Sequence, residues 1–380
     1  MAITYTQTIS ESIWNLTENN QILEFTSDSL ENPLYCEFEI TDINTIRIYP
    51  NTSGVFWINL KEYLSSLLND YVDDLDFTTI DELDIDTFVY DWSKVFLNTD
   101  IDVTITFDDD STDTDTITPF FLLGKEDLMP FKKGRTIKDL SQAILSPLKL
   151  ETANRVHLRY WEGYPFDFAL TRNIPSADTT QTITNNTNAI TSPDVEFPND
   201  VNRIVVCNGD TSVTLEDYLP LANGYNELEF QNSMFIEIWK DESPCGIYIK
   251  WLNQYGGYNY WLFNSQYEDV LLHGSKGVIN NDFTALDNTN SVFRSLGRKI
   301  DNEFNVRSEH LSVNDINLLS GLLESPKIYL FTGVPYSEAS PSDWLEVELK
   351  NGNALKRDFK GNVPDLELTF KLPSHYTISL

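Results

Sequence analysis

Apolar and polar residues alternate with a period of two over much of this chain, the pattern of strands with one buried face. LYCEFEI (34–40) and NTIRIYP (44–50) are such runs. GVFWINLKEYLSSLLNDYV then breaks the period. Its Leu60, Leu64, Leu67, Leu68 and Tyr71 fall at helical spacing and predict one short amphipathic helix. TFVYDWSKVFL and IDVTITFDDDSTDTDTITPFFLLG predict a hairpin around an acidic turn. RTIKDLSQAILSPL predicts a second short helix stopped by Pro147, and VHLRYWEGYPFDFAL a further aromatic pair of strands.

Residues 173–200 are rich in Thr, Asn, Ser and Pro, which predicts a long linker or a β-arm laid on a neighbour. Strands resume with RIVVCNG, VTLEDYL, NELEFQ and MFIEIWKD. In HLSVNDINLLSGLLESP, Ser312 is the expected N-cap, with Asp315 three positions on. Leu318, Leu319, Leu322 and Leu323 follow as an apolar stripe before Pro326, so a short capped helix is expected. KIYLFTG, DWLEVELK and LELTFKLP read as closing strands. The expected fold is mainly β: two or more β-sandwich or barrel-like bodies with a few short helices. The expected division is an N-terminal β-rich domain at 1–172, the linker or arm at 173–200, a middle β-rich domain at 201–275, and a C-terminal β-rich region at 276–380 with one short helix.

The most unusual stretch is IYIKWLNQYGGYNYWLF, Ile247 to Phe263. Gly256 and Gly257 allow the positive φ of a tight turn, and the Asn253 side chain is placed to brace it. Alternation puts Tyr248, Lys250 and Leu252 on one face and Ile247, Ile249 and Trp251 on the other. The second strand sets Tyr258, Tyr260 and Leu262 against Asn259, Trp261 and Phe263. Large apolar side chains on both faces favour a ribbon covered by protein, as core and subunit contact, over an open ligand platform.

Net charge changes the picture of partners. The chain of 380 residues carries 59 acidic and 26 basic residues, a formal charge of -33. Such a surface repels phosphate backbones, so sequence-specific nucleic-acid binding is not expected, although an acidic wall lets DNA slide past without sticking. Cys36, Cys207 and Cys245 are odd in number and widely spaced, which suggests reduced, mostly buried thiols rather than a disulfide framework or a zinc site. No run approaches a membrane span, and the N-terminus lacks a basic region followed by an apolar core. The expectation is a chain made and folded in a cytoplasm.

Candidate chemistry is sparse. His157, His273, His310 and His375 stand outside any HExxH motif, and no GxSxG elbow is present. The acidic run Asp108 to Thr116 lacks the glycine of a calcium loop and reads as a solvated hairpin tip. Tyr71 to Asp86 reads as a solvated acidic face. GKEDL at 124 and GSKG at 274 lack Walker spacing. No residue is therefore nominated as catalytic, cofactor-binding or metal-binding, and neither an enzyme nor a cofactor is expected.

The run CGIYIKWLNQYGGYNYWLF resembles a hairpin of the tail and neck structural proteins of Bacteroidota-infecting phages, including crAss-like phages. ENPLYCEFEI followed by GVFWINLKEYL, then TPFFLLG, RVHLRYWEGYPFDFAL, LLESPKIYLF, DWLEVELKNG and LELTFKLPSHYTISL extend the resemblance over nearly the whole chain. The resemblance implies a virion protein of the tail or neck, a ring-forming subunit of the tail or head-tail connector. It implies six or twelve copies, with adjacent tail, connector or portal proteins as partners, and no catalytic residue. The alternative is a glycan-binding module or adhesin using exposed aromatic residues. A tail-associated glycan hydrolase is a weaker third.

Overall fold

The structure, a computed structural model, describes residues 2–72, 88–126, 142–147, 154–172, 180–208, 214–230, 234–243, 245–280, 293–350 and 366–373. The chain is mainly β, with short strands in several separate sheets and a few short helices. It divides into two compact units. The first holds Met1–Glu242, Leu252–Asn259 and Val334–Pro341; the second holds Ser243–Trp251, Tyr260–Gly333 and Ser342–Leu380.

The first unit opens with two antiparallel sheets. One contains Ile3–Gln7, Ile22–Ser27 and Phe56–Asn59; the other orders Thr112–Ile117, Ile101–Phe107, Pro33–Ile40 and Ile43–Ile48. The inward positions of these alternating strands supply Leu23, Phe25, Cys36, Phe38, Phe56, Val103, Ile105 and Phe107 to one apolar core. Each such large side chain contributes roughly 1.5–3 kcal/mol on burial. Helix Lys61–Val72 forms where the sequence predicts it, and Leu60 and Leu64 enter the same core. The Asn59 carboxamide oxygen accepts from the Lys61 amide at 3.1 Å at its start.

A second set of sheets follows. Arg155–Trp161 pairs in parallel with Met234–Asp241, within a five-stranded sheet. Phe166–Thr171 pairs with Val201–Cys207, and every residue of both strands is buried. Their charged members are paired: the Arg203 guanidinium donates to the Asp167 carboxylate at 2.5 Å. The aromatic strands around Gly163 do not pair with each other, because the chain switches sheets there. Gly163 has φ 82°, and a Cβ on it would strike the Tyr336 ring.

Three local expectations meet a different outcome. The described part of the Thr/Asn-rich segment pairs within its own chain: Thr184–Asn185 joins Gly224–Phe230 and Ile190–Thr191, and Thr180–Gln181 joins Val195–Glu196. Residues 142–147, the end of the expected second helix, form bends and one isolated antiparallel bridge from Ile144 to Leu170 instead. The Leu145 amide donates to the Ala169 carbonyl and the Thr171 amide to the Ala143 carbonyl, so a neighbouring strand overrides helix propensity. The start of that helix, 135–141, lies outside the described residues. VTLEDYL, read as a strand, forms the helical turn Leu215–Tyr218, because Thr214 and Asp217 make a reciprocal capping box.

Tyr258–Phe263, Ile247–Leu252, Ile328–Phe331 and Trp344–Glu346 form one sheet, whose residues other than Leu252, Tyr258 and Asn259 belong to the second unit. Gln266–Ser275, Arg298–Ser308, Leu366–Lys371 and Glu348–Leu349 form another. Phe304 stacks on Phe370 at 5.1 Å, and Phe370 meets Phe263 edge-on at 6.4 Å. Helix Val313–Ser320 starts as its sequence predicts: the Ser312 hydroxyl accepts from the Asp315 amide at 3.1 Å, and the Ser312 amide donates to the Asp315 carboxylate at 2.9 Å.

Candidate assembly surface

The aromatic hairpin is not an open platform. Trp251 is 0% exposed, and Tyr248, Tyr255, Tyr258, Tyr260, Trp261 and Phe263 are all buried. Within the second unit, Tyr248 stacks on Tyr260 at 5.8 Å, and Trp344 lies 6.0 Å from Tyr248. The Lys250 ammonium sits 4.0 Å from the Trp344 ring centroid and 5.7 Å from that of Tyr329. A desolvated cation held against an indole face gains about 2 kcal/mol or more from the ring quadrupole. The Trp261 indole donates to Ser308 at 3.2 Å. These side chains are buried within the chain itself, so the hairpin is core rather than an open ligand platform.

The hairpin tip, Leu252–Asn259, belongs to the first unit and is held by hydrogen bonds within it. Asn253 braces the turn as expected, its carboxamide oxygen accepting from the amides of Tyr255 at 2.8 Å and Gly257 at 3.3 Å. Its nitrogen donates to the Leu145 carbonyl at 2.7 Å. The Trp92 indole donates to the Gly256 carbonyl at 2.8 Å, and the Lys125 amide to the Gln254 carbonyl at 2.7 Å.

The other candidate residues are scattered. His157 is half-buried on a first-unit strand, His273 is exposed on a second-unit strand, and His310 precedes the capped helix with φ 59°. His375 and most of the acidic stretch Tyr71 to Asp86 lie outside the described residues. Asp109 caps its own hairpin tip through Ser111, whose hydroxyl and amide donors hold the Asp109 carboxyl below its ordinary value. Cys36 and Cys207 are buried and Cys245 is exposed, and none of the three is in a disulfide. Among the described residues, no group of three His, Cys, Asp or Glu is placed to hold a metal, and no helix is long and apolar enough to cross a membrane.

The unsatisfied surface lies elsewhere. Gln266–Ser275 pairs with Arg298–Ser308 over ten residues, from Gln266 opposite Arg307 to Ser275 opposite Arg298. Val278–Asn280 and Phe293–Ser295 continue the same ribbon. Leu271 is 67% exposed and its neighbour Leu272 42%; Val278 is 55% exposed and Ile279 44%. Adjacent strand residues point to opposite faces, so apolar side chains meet solvent on both sides. Sequence reading missed this ribbon and placed a domain boundary inside it. QYEDVLLHGS does not alternate cleanly, and the signal that marks it is the absence of carboxylates from 270 to 280.

A smaller exposed aromatic group lies on the five-stranded sheet of the first unit. Tyr225 is opposite Trp239, and the Arg159 guanidinium lies 5.5 Å from the Trp239 ring.

No family model matches the sequence, and no curated protein matches it. Among solved structures, the chain is similar to the fibronectin(III)-like modules of Clostridium thermocellum CbhA, with 6% identity and a TM-score of 0.20 over 63% of this chain and 95% of that one. It is similar to a 1.5-MDa bacterial ice-binding adhesin, with 10% identity and a TM-score of 0.19 over 82% of this chain and 93% of the other. A tetra-tandem repeat from the extending region of a large adhesion protein gives 11% identity and a TM-score of 0.21, over 97% and 73% respectively. At such TM-scores these likenesses carry no argument about function, and the case rests on the chain's own surfaces.

Proposed function

We propose that this chain is a non-enzymatic structural subunit of a phage virion. It forms a ring of six or twelve copies in the tail or the head-tail connector, through which DNA passes, and it touches adjacent tail, connector or portal proteins. The observation that carries the reading is the ribbon formed by residues 266–280 and 293–308, which leaves Leu271, Leu272, Val278 and Ile279 in solvent on both faces. An exposed ribbon with apolar side chains is a template for association, and soluble proteins normally blunt or cover such edges. The aromatic residues of the 247–263 hairpin are meanwhile buried inside the chain's own fold. A surface charge of -33 suits a wall past which DNA moves, with acidic residues facing the channel. Negative-stain images of the purified protein and of disrupted virions test this. Rings in both support it, and a map with the carboxylates on the outer wall around a neutral or basic channel removes the DNA-path element.

One observation favours a second reading, a glycan-binding module. Tyr225 and Trp239 form an exposed cross-strand pair, the kind of surface on which sugar rings stack. The Trp251 and Trp261 hairpin is too deeply buried to serve. Glycan-array binding by a monomer, abolished in Trp239→Ala with an unchanged melting curve, would favour this reading over the ring.

A further inference from the structure

Resting on the assembly reading above, we propose that residues 270–280 and 293–300 form a basic, apolar arm that docks on the acidic surface of a second copy of this chain. These two segments hold Lys276, Arg294, Arg298 and Lys299, and no Asp or Glu. They therefore carry four of the chain's 26 basic residues and none of its 59 acidic ones. Asp282 and Asp287 come between them in sequence, outside the described residues.

Two copies that each carry -33 repel each other. Self-association therefore needs a local element of opposite sign at the contact. The part of the ribbon at 270–280 and 293–300 is such an element, and it runs past the neighbouring strand. The neighbouring strand Leu366–Lys371 pairs with Arg298–Ser308 only from Glu303 to Ser308, and the Leu372 amide reaches the Asn302 carbonyl. Beyond that point the described ribbon has two strands. Residues 272–280 extend it by roughly 30 Å at the usual rise per strand residue. Lys276, Arg298 and Lys299 are exposed there beside Leu271, Val278, Ile279 and Leu296. Lys299 forms an exposed ion pair with Asp301 at 3.1 Å, a contact worth little against a competing carboxylate.

The arm has a built-in interruption of its strands. Ser275-Lys276-Gly277 faces Ser295-Leu296-Gly297, with the Lys276 amide donating to the Gly297 carbonyl and the Leu296 amide to the Gly277 carbonyl, both at 3.0 Å. The two glycines adopt φ 149° and 134°, and each amide donates to the serine hydroxyl two positions before it. A side chain at either glycine would be strained, so this irregularity is specified in the sequence. Nucleic acid is the poorer occupant. Phosphates would leave the leucines, valine and isoleucine wet, and the rest of the chain repels them.

The test uses the full chain, grown in light and heavy nitrogen, mixed, and treated with a carbodiimide that joins amines to carboxylates at zero length. Lys276 and Lys299 should appear in mixed-isotope peptides joined to Asp or Glu. The triple variant K276E/R298E/K299E should weaken self-association at least about tenfold with an unchanged melting curve, since these side chains are exposed. If the parent assembles while the triple variant assembles equally well, or the lysines join only same-isotope carboxylates, the arm is overturned and the assembly reading stands. If the parent never associates, both fall. If the variant instead loses retention of duplex DNA with its assembly intact, the arm reads nucleic acid and the proposal is overturned.

Discussion

Gly257 and Leu145 approach so closely that a Cβ on Gly257 would lie 2.2 Å from the Leu145 carbonyl oxygen. That oxygen already accepts from the Asn253 carboxamide. The glycine pair at the hairpin tip therefore serves two ends. Gly256, at φ 79°, makes the turn, and Gly257 lets the turn press on a neighbouring segment. Gly257→Ala should destabilise the protein by about 3 kcal/mol, because backbone faces the new methyl and has no side chain to move aside. Chemical denaturation measures it, and a loss below about 0.5 kcal/mol would mean that the tip is not packed as described.

Trp251→Ala should cost roughly 3–5 kcal/mol, the range for emptying a fully buried aromatic site. The indole lies in the sheet of the second unit, where Trp251 pairs with Ile328. A variant that melts like the parent would place this ring in solvent and reopen the hairpin as a binding surface.

Alkaline stability carries a sign fixed by burial. The Cys36 thiol is pushed up from 9.0 to about 12, chiefly by burial, and burial also raises Tyr5 and Tyr160. Below about pH 9 the thiol is protonated in folded and unfolded chains alike. Between about 9 and 12 the unfolded chain has released this proton and the folded chain has kept it, so stability falls as pH rises. The expected slope is up to about 1.4 kcal/mol per pH unit for one proton. Cys36→Ala should lose the part of the fall that begins near pH 9, as read by denaturant midpoints across this range.

Sequence patterning made the β class, the helix at Lys61–Val72 and the capped helix at Val313–Ser320 legible, because each rests on local periodicity or a capping pair. It also placed the aromatic hairpin inside protein, since bulky residues on both faces need cover on both. Long-range pairing was not legible. Residues 142–147 have helical propensity but meet the strand at Ala169 and Thr171, and only the folded chain supplies that partner. The Thr-rich segment looked like a linker because its strand pairs are two residues long, too short to show a period. The ribbon was hidden for the opposite reason. Both faces of its strand Gln266–Ser275 are wet, so burial imposes no alternation on Val270 to Ser275, and only the change in local charge marks it.

Native mass spectrometry of the full chain tests the central claim most directly. The account predicts one dominant closed species of six or twelve copies, which dissociates as ionic strength rises and the basic arm is screened from its acidic neighbour. A particle that stays a single 43.6 kDa chain at every concentration and salt, with the fold intact, would contradict it.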